Sequence, residues 1–281
     1  MRILISGANG FVGSHLSGEL NDFEIFDRKS KNIFDLSSWL SYGEKKYLIF
    51  LSARTSISDS WENPYLTYTE NTQALHTALE YCRKCNVKLI YFSSFVYKIK
   101  REGIYRESDT IKAYNPYALS KISSEKLIQF YCSNFKMDAV IIRPFNIYGQ
   151  GQNNSFLIPH IYKEINKGKD IELKSLTSIR DYIYIKDVVS AVKLILNSSL
   201  KGLKTYNLST GIGTTVRELI SIIFDLTGKE YNIKEIGEQP FQNNIEKAVG
   251  DNSLFSSDFK WEPKFNLIRG IKDCIDFYFK T

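Results

Sequence analysis

The sequence predicts an α/β protein, a doubly wound parallel sheet with helices on both faces and a smaller C-terminal region interleaved with it. Short, near-continuous apolar runs punctuate the first half of the chain, as strands covered on both faces require. Segments of helical periodicity separate these runs, and repeated strand–helix–strand units with right-handed crossovers give a doubly wound sheet. After Gly149 the texture changes to a polar loop followed by mixed helical and strand patterns.

In order, the strands are expected at residues 2–6 (RILIS), 23–26 (FEIF), 47–52 (YLIFLS), 88–94 (KLIYFSS) and 138–144 (DAVIIRP). Helices are expected at Gly10–Leu20, Pro64–Cys85 and Tyr117–Asn134, where Leu119, Ile122, Leu127, Phe130 and Tyr131 recur at helical spacing. Beyond the polar loop 149–154, a helical stretch at Leu157–Lys167 precedes RDYIYIKD (180–187) and another at Val188–Leu196. TYNLS (205–209) reads as a strand, 214–228 as a helix and 267–279 as a terminal helix.

Composition narrows the class. A chain of 281 residues, 43% hydrophobic and 24% charged, builds one large domain or two small ones. No segment approaches the ~20 apolar residues of a membrane span, and Ile3–Ile5 is too short for a signal peptide, so a cytoplasmic protein is expected. The net charge of +6 comes from scattered lysines without an arginine-rich stripe. That scatter argues against nucleic acid, and a modest positive field suits an anionic small molecule equally well. Cys82 and Cys85 form a C-x-x-C pair, but no matching second pair follows and His76 is the one nearby further ligand. They read as thiols one helical turn apart, and no metal is expected.

Gly7, Gly10 and Gly13 follow a strand and open a helix. The first permits the tight turn, the second lets backbone approach a pyrophosphate, and the third lets helix and strand pack closely. Gly7, Gly10, Phe11, Val12 and Gly13 then present helix N-terminal N–H groups to the phosphates of a dinucleotide in a Rossmann-type sheet. Asp27 ends the second strand, where an acid binds a ribose hydroxyl and favours NAD(H); Arg28 and Lys29 beside it suit the extra phosphate of NADP(H) instead.

Tyr117 and Lys121 stand four apart on one helix face. A phenol of pKa ~10 exchanges its proton poorly at neutral pH, and a nearby ammonium stabilises its phenolate. Ser93 or Ser94 emerges at the carboxyl edge of the fourth strand, where open α/β sheets bind ligands and a serine can bond the reacting oxygen.

The glycine loop, SSFVY, YALSK, RPFNIYG and RDYIYIKD occur in the order found in the extended short-chain dehydrogenase/reductase family, the nucleotide-sugar epimerases, dehydratases and reductases. The chain resembles that family from Ile3 to WEP (261–263). The resemblance implies that Ser93, four residues before Tyr97, is the catalytic serine, with Tyr117 as acid/base and Lys121 on the nicotinamide ribose. It implies adenine contacts at Asp35 and Leu36, and cofactor contacts at Leu51, Ser52, Ala53 and Pro144. Asn146 and Arg180 hold the diphosphate of a sugar nucleotide on this reading, with Ser94 also facing substrate. Residues 1–150 then form the cofactor domain and 151–281 mainly the substrate region, with the strand at 205–209 returning to the first sheet. The family's usual homodimer joins the helices at about Leu66–Cys85 and Tyr117–Asn134.

Family dehydratases carry an Asp-Glu pair after the catalytic hydroxyl, where this chain has Ser94-Phe95. That leaves hydride chemistry at a sugar carbon, C4 above all, by a 4-keto-(6-deoxy)sugar reductase or by a 4-epimerase with retained NAD. The short segment 26–39 and the small C-terminal region resemble the reductases more. A cofactor-sensing relative without catalysis would be expected to lose the tyrosine or the lysine, and both are present. Three departures stand out: Lys98 replaces a usual glycine, Phe241-Gln242 replace a late arginine, and LSA (51–53) replaces LAA.

Overall fold

The computed structural model describes residues 2–97, 99, 103–229, 231–237 and 245–279. Lys98, Phe241 and Gln242 lie outside them. In chain order the described elements are β1 (Ile3–Ser6), α1 (Phe11–Glu19), β2 (Phe23–Phe26), α2 (Leu36–Leu40), β3 (Tyr47–Phe50), α3 (Ile57–Glu62), α4 (Pro64–Cys85) and β4 (Lys88–Phe92). They continue with β5 (Gly103–Tyr105), α5 (Pro116–Phe135), β6 (Ala139–Pro144), β7 (Asn146–Tyr148), α6 (Leu157–Asn166), β8 (Ile171–Leu173), β9 (Ile179–Tyr184) and α7 (Ile185–Leu196). The last are β10 (Leu203–Leu208), β11 (Gly213–Thr215), α8 (Val216–Thr227), β12 (Ile233–Glu235), β13 (Lys247–Gly250), α9 (Ser253–Phe259) and α10 (Leu267–Phe279).

The chain divides into two compact units. The first comprises Met1–Lys100, Glu107–Pro144 and Val189–Asn207, and the second Arg101–Arg106, Phe145–Val188 and Leu208–Thr281. Pro144 ends the second segment of the first unit, and a short segment after β4 belongs to the second.

In the first unit the sheet order is β10-β6-β4-β3-β1-β2, and β2, β1, β3, β4 and β6 pair in parallel. All four residues of β1 and of β3 are buried, as their apolar runs require. FEIF behaves differently: Glu24 and Ile25 are exposed because β2 is the edge strand. The connection from β2 to β3 holds one five-residue helix, α2, so no strand covers that edge. Asp35 caps α2 by accepting from the Ser37 N–H (3.1 Å). Leu4, Leu48, Leu89 and Ile141 from four neighbouring strands pack with Leu75 and Leu79 of α4, Ile128 of α5 and Trp39 of α2. Trp39 is fully buried and donates its indole N–H to the Ile33 carbonyl (2.9 Å), so burying its ring strands no polar group. α4 and α5 pack against each other, with their N-terminal prolines at positions that need no donor.

In the second unit β9 carries β11 on one side and β13 on the other; β5 extends the sheet beyond β13, and β7 also pairs with β9. α10 packs on α6 and α8. Gly270 is required there, because a Cβ at that position would collide with the Tyr148 hydroxyl. Asp187 in the first turn of α7 accepts from the Lys264 (2.9 Å) and Phe265 (3.1 Å) N–H groups, tying the chain before α10 to the unit.

Candidate active site

The first unit gathers its chemistry at the carboxyl edge of parallel strands. Gly7 follows β1 with φ +84°, a left-handed conformation that a side chain resists, and a Cβ there would press on the backbone of Leu51 and Ser52. Gly10 starts α1 without a side-chain cap, and its N–H donates to the Gly7 carbonyl (3.0 Å). A Cβ on Gly13 would overlap the Gly7 carbonyl oxygen, so only glycine lets the first turn of α1 lie on the loop. Phe11 and Val12, half-buried, complete that turn. This tight, uncapped helix start fits the pyrophosphate of a dinucleotide: it leaves first-turn N–H groups and the positive end of the helix dipole for an anion.

The neighbouring strand ends complete the edge. The Ser6 and Ser52 hydroxyls hydrogen-bond at 2.5 Å, joining the ends of β1 and β3 beside the glycine turn. Leu51 and Ala53 are half-buried on the same segment. Asn71 of α4 accepts from the Arg54 N–H (2.8 Å) and donates to the Arg54 carbonyl (3.1 Å) and the Ser120 hydroxyl (2.9 Å), clamping the segment after β3 to α5. Pro144 ends β6, buried. Asp27 and Arg28 lie exposed just past β2. The Asp27 carboxylate accepts from the Lys29 N–H (2.9 Å) and the Ser30 hydroxyl (2.8 Å), and these bonds hold its carboxyl below the usual range. Asp35, with half-buried Leu36 next to it, is engaged in its helix cap.

Tyr117 and Lys121 sit in the first turns of α5, both buried. Asn115 caps that helix, its Oδ1 accepting from the Ala118 N–H (2.6 Å), while its buried side-chain amide nitrogen has no partner among the described residues. Burial pushes the Tyr117 phenol up to about 12, opposed by the influence of the Ser94 side chain. Burial drives Lys121 down to about 7, opposed by the charge of Glu125. The Lys121 ammonium donates to the Phe92 carbonyl (2.8 Å) and lies 4.8 Å from the Tyr91 ring centre and 5.9 Å from that of Tyr117.

The two serines part company. Ser93, expected beside the reacting oxygen, donates its hydroxyl to Glu125 (2.5 Å) and lies 2.5 Å from the Tyr97 hydroxyl. Ser94 accepts from the Val96 N–H (3.1 Å), and its side chain opposes the upward shift of the Tyr117 phenol. The residues behind this arrangement, Glu125 and Arg143, were not singled out from the sequence. Their signals were an arginine inside the apolar strand DAVIIRP and an acid four residues after Lys121.

In the second unit Asn146 begins β7, and its side-chain amide donates to the Asp181 carbonyl (2.9 Å). Arg180 on β9 donates to the Ile179 (2.9 Å) and Glu246 (3.3 Å) carbonyls. Asp181 is buried, its carboxylate accepting from the Thr210, Gly211 and Gly250 N–H groups and the Thr210 hydroxyl. This fixes the loop after β10 and gives Asp181, the first acid of RDYIYIKD, a structural role. Cys82, Cys85, Cys132 and Cys274 are free thiols, and burial raises each of them. No metal-holding cluster occurs among the described residues, and none of their helices is long and apolar enough to cross a membrane.

A tight glycine turn and a buried serine, tyrosine and lysine on one sheet edge fit a dinucleotide-dependent oxidoreductase. Residues 3–209 match the NAD dependent epimerase/dehydratase family, and the chain belongs to it. Members of this family are NAD(P)-dependent enzymes, and this chain is one. It is 28% identical to a GDP-6-deoxy-D-talose 4-dehydrogenase of Aggregatibacter actinomycetemcomitans, over 96% of this chain and 95% of that one. It is 25% identical to a GDP-6-deoxy-D-mannose reductase of Pseudomonas aeruginosa, over 96% and 95%. Its fold matches the Thermus thermophilus UDP-glucose 4-epimerase solved with NAD, with a TM-score of 0.89 at 24% identity over 99% of both chains.

Proposed function

We propose that this protein is a cytoplasmic NAD(P)H-dependent reductase of a 4-keto-(6-deoxy)sugar carried on a nucleoside diphosphate. The observation that carries the reading is the Ser94–Tyr117–Lys121 group at the strand edge beside the glycine turn. Tyr117 delivers the proton to the C4 oxygen, Ser94 donates a hydrogen bond to that oxygen, and Lys121 lowers the cost of the phenolate left behind. The dinucleotide, when bound, supplies the hydride. Gly7, Gly10, Phe11, Val12 and Gly13 hold its pyrophosphate, Asp35 and Leu36 its adenine, and Leu51, Ser52, Ala53 and Pro144 line its path. Asp27 favours NADH, with Arg28 as the competing contact for NADPH. Asn146 and Arg180 hold the sugar nucleotide's diphosphate, a task that suits the planar fork of arginine.

Ser94-Phe95 offers no acid and base for water elimination, which argues against a dehydratase. The short β2–β3 connection supports a reductase over an epimerase. Homodimer formation is supported by Tyr65, Leu119 and Phe130, which lie exposed on α4 and α5 at 81%, 47% and 55% of their surface.

The test is the cofactor released when freshly purified protein is denatured, followed by a screen of 4-keto sugar nucleotides with NADH and NADPH. A weakly occupied site and turnover-dependent oxidation of the reduced cofactor support the reductase. Near-stoichiometric retained NAD, with interconversion of C4 epimers, replaces it with a 4-epimerase.

A further inference from the structure

Behind the serines lies a buried ion pair that the proposed chemistry does not use. Glu125 stands on α5 one turn beyond Lys121, and its side chain is 9% exposed. Its carboxylate accepts four hydrogen bonds, from the Ser93 hydroxyl (2.5 Å), the Tyr97 hydroxyl (3.0 Å), Arg143 Nε (3.0 Å) and Arg143 Nη2 (2.6 Å). Arg143, one residue before the end of β6, also donates to the Glu107 carbonyl (3.2 Å) and lies 5.7 Å from the Tyr97 ring centre. A buried ion pair is a poor source of stability, because the desolvation of two charges offsets their attraction. An apolar pair would hold β6 to α5 at least as well. It could not hold two hydroxyls.

We propose that Glu125 is a positioning residue of the reaction centre: anchored by Arg143, it holds the Ser93 and Tyr97 hydroxyls, so that Ser94 is the serine presented to Tyr117, and it sets a negative charge one helical turn from Lys121. The turn Ser93–Tyr97 connects the two held residues, so fixing both its ends fixes Ser94 between them. The groups that face Lys121 are the Tyr91 ring on β4, the Tyr117 ring on α5, the Phe92 carbonyl and Glu125. Among these Glu125 is the carboxylate, and its charge opposes the burial that favours neutral Lys121. One acid thereby serves both partners of the tyrosine, the serine through a hydrogen-bonded turn and the lysine through the field.

The kinetic part of the test rests on the reductase reading; the titration does not. Lys121 is followed against pH by NMR in chain carrying ¹³Cε-labelled lysine, with Lys121→Met identifying the signal. Glu125→Gln is expected to lower its midpoint by about one pH unit. In NADH or NADPH oxidation with a 4-keto sugar nucleotide, the same variant is expected to lose about 10- to 100-fold in kcat with KM within about twofold, and Glu125→Asp to recover part of the loss. A folded Glu125→Gln chain with an unchanged Lys121 midpoint overturns the proposal, as does an unchanged kcat. If the wild type reduces no such substrate, the functional reading fails alone, and the titration still decides the role of Glu125. If Glu125→Gln does not fold, Glu125→Asp, whose carboxylate is withdrawn by one methylene, is read the same way. A lowered midpoint supports the proposal, and the wild-type midpoint overturns it.

Discussion

The glycine turn after β1 and the serine turn after β4 lie on the same edge of the same sheet, yet they are built on different principles. In the glycine turn the backbone itself sets the shape. Gly7 takes a positive φ, and side chains at Gly7 or Gly13 would meet neighbouring backbone, so residue type alone encodes the shape. In the serine turn two identical side chains sit next to each other, and their roles are assigned by Glu125 and Arg143, which lie 32 and 50 positions beyond Ser93 in the chain. A site made of backbone is written locally. One made of side-chain directions is written wherever its hydrogen-bond partners are.

The largest effect is expected from removing the group that the serine turn serves. Tyr117→Phe is expected to reduce kcat about 10²- to 10⁴-fold while circular dichroism and cofactor affinity stay at wild-type values, because it deletes a proton and almost no volume. Next comes the direct contest between the neighbours. Ser94→Ala is expected to cost about 10²-fold in kcat and Ser93→Ala less than about tenfold; steady-state kinetics giving the reverse order would break the comparison.

Lys121 sharpens it on the side of stability. Its folded value of about 7 lies below the usual lysine value of 10.5, so between those limits the unfolded chain binds a proton that the folded chain does not. The lysine's contribution to stability therefore rises with pH across that window, with a slope of up to about 1.4 kcal/mol per pH unit. Lys121→Met is expected to remove that slope and to raise stability at pH 7 and below, while lowering activity. The check is a denaturant series from pH 6 to pH 10 on both chains, compared by difference so that other titrating groups cancel.

The smallest effects belong to the glycines, where position decides the sign. Gly13→Ala is expected to destabilise by about 1–3 kcal/mol through its collision with the Gly7 carbonyl and to weaken cofactor binding. Gly18→Ala, on the same helix with open space around it, is expected to stabilise by about 0.5–1 kcal/mol. Thermal melts of the two variants test this, and equal shifts would show that the packing at Gly13 is looser than its geometry implies.

Much of the first unit was readable in the chain. The strands at 47–52, 88–94 and 138–144 and the helix Pro64–Cys85 were plain from apolar runs and helical periodicity, since each buries its own face. FEIF read as another buried strand, because nothing within four residues reveals that its outer neighbour is missing. The second unit was less legible. β5, β7, β8, β11, β12 and β13 are three or four residues long, too short for a period to repeat. They exist because partners far away in sequence supply their hydrogen bonds, as β13 does for β5.

The sequence by itself determined the parallel sheet, the tight glycine turn and the tyrosine–lysine pair, all of which rest on spacings shorter than one helix or one strand–turn–helix unit. Only the tertiary structure decided that the sheet ends at β2, that Asp181 is a structural acid, and that the Ser93 hydroxyl is held by Glu125. Those outcomes depend on which groups are left to satisfy a buried polar atom once distant segments have packed. No local pattern carries that information.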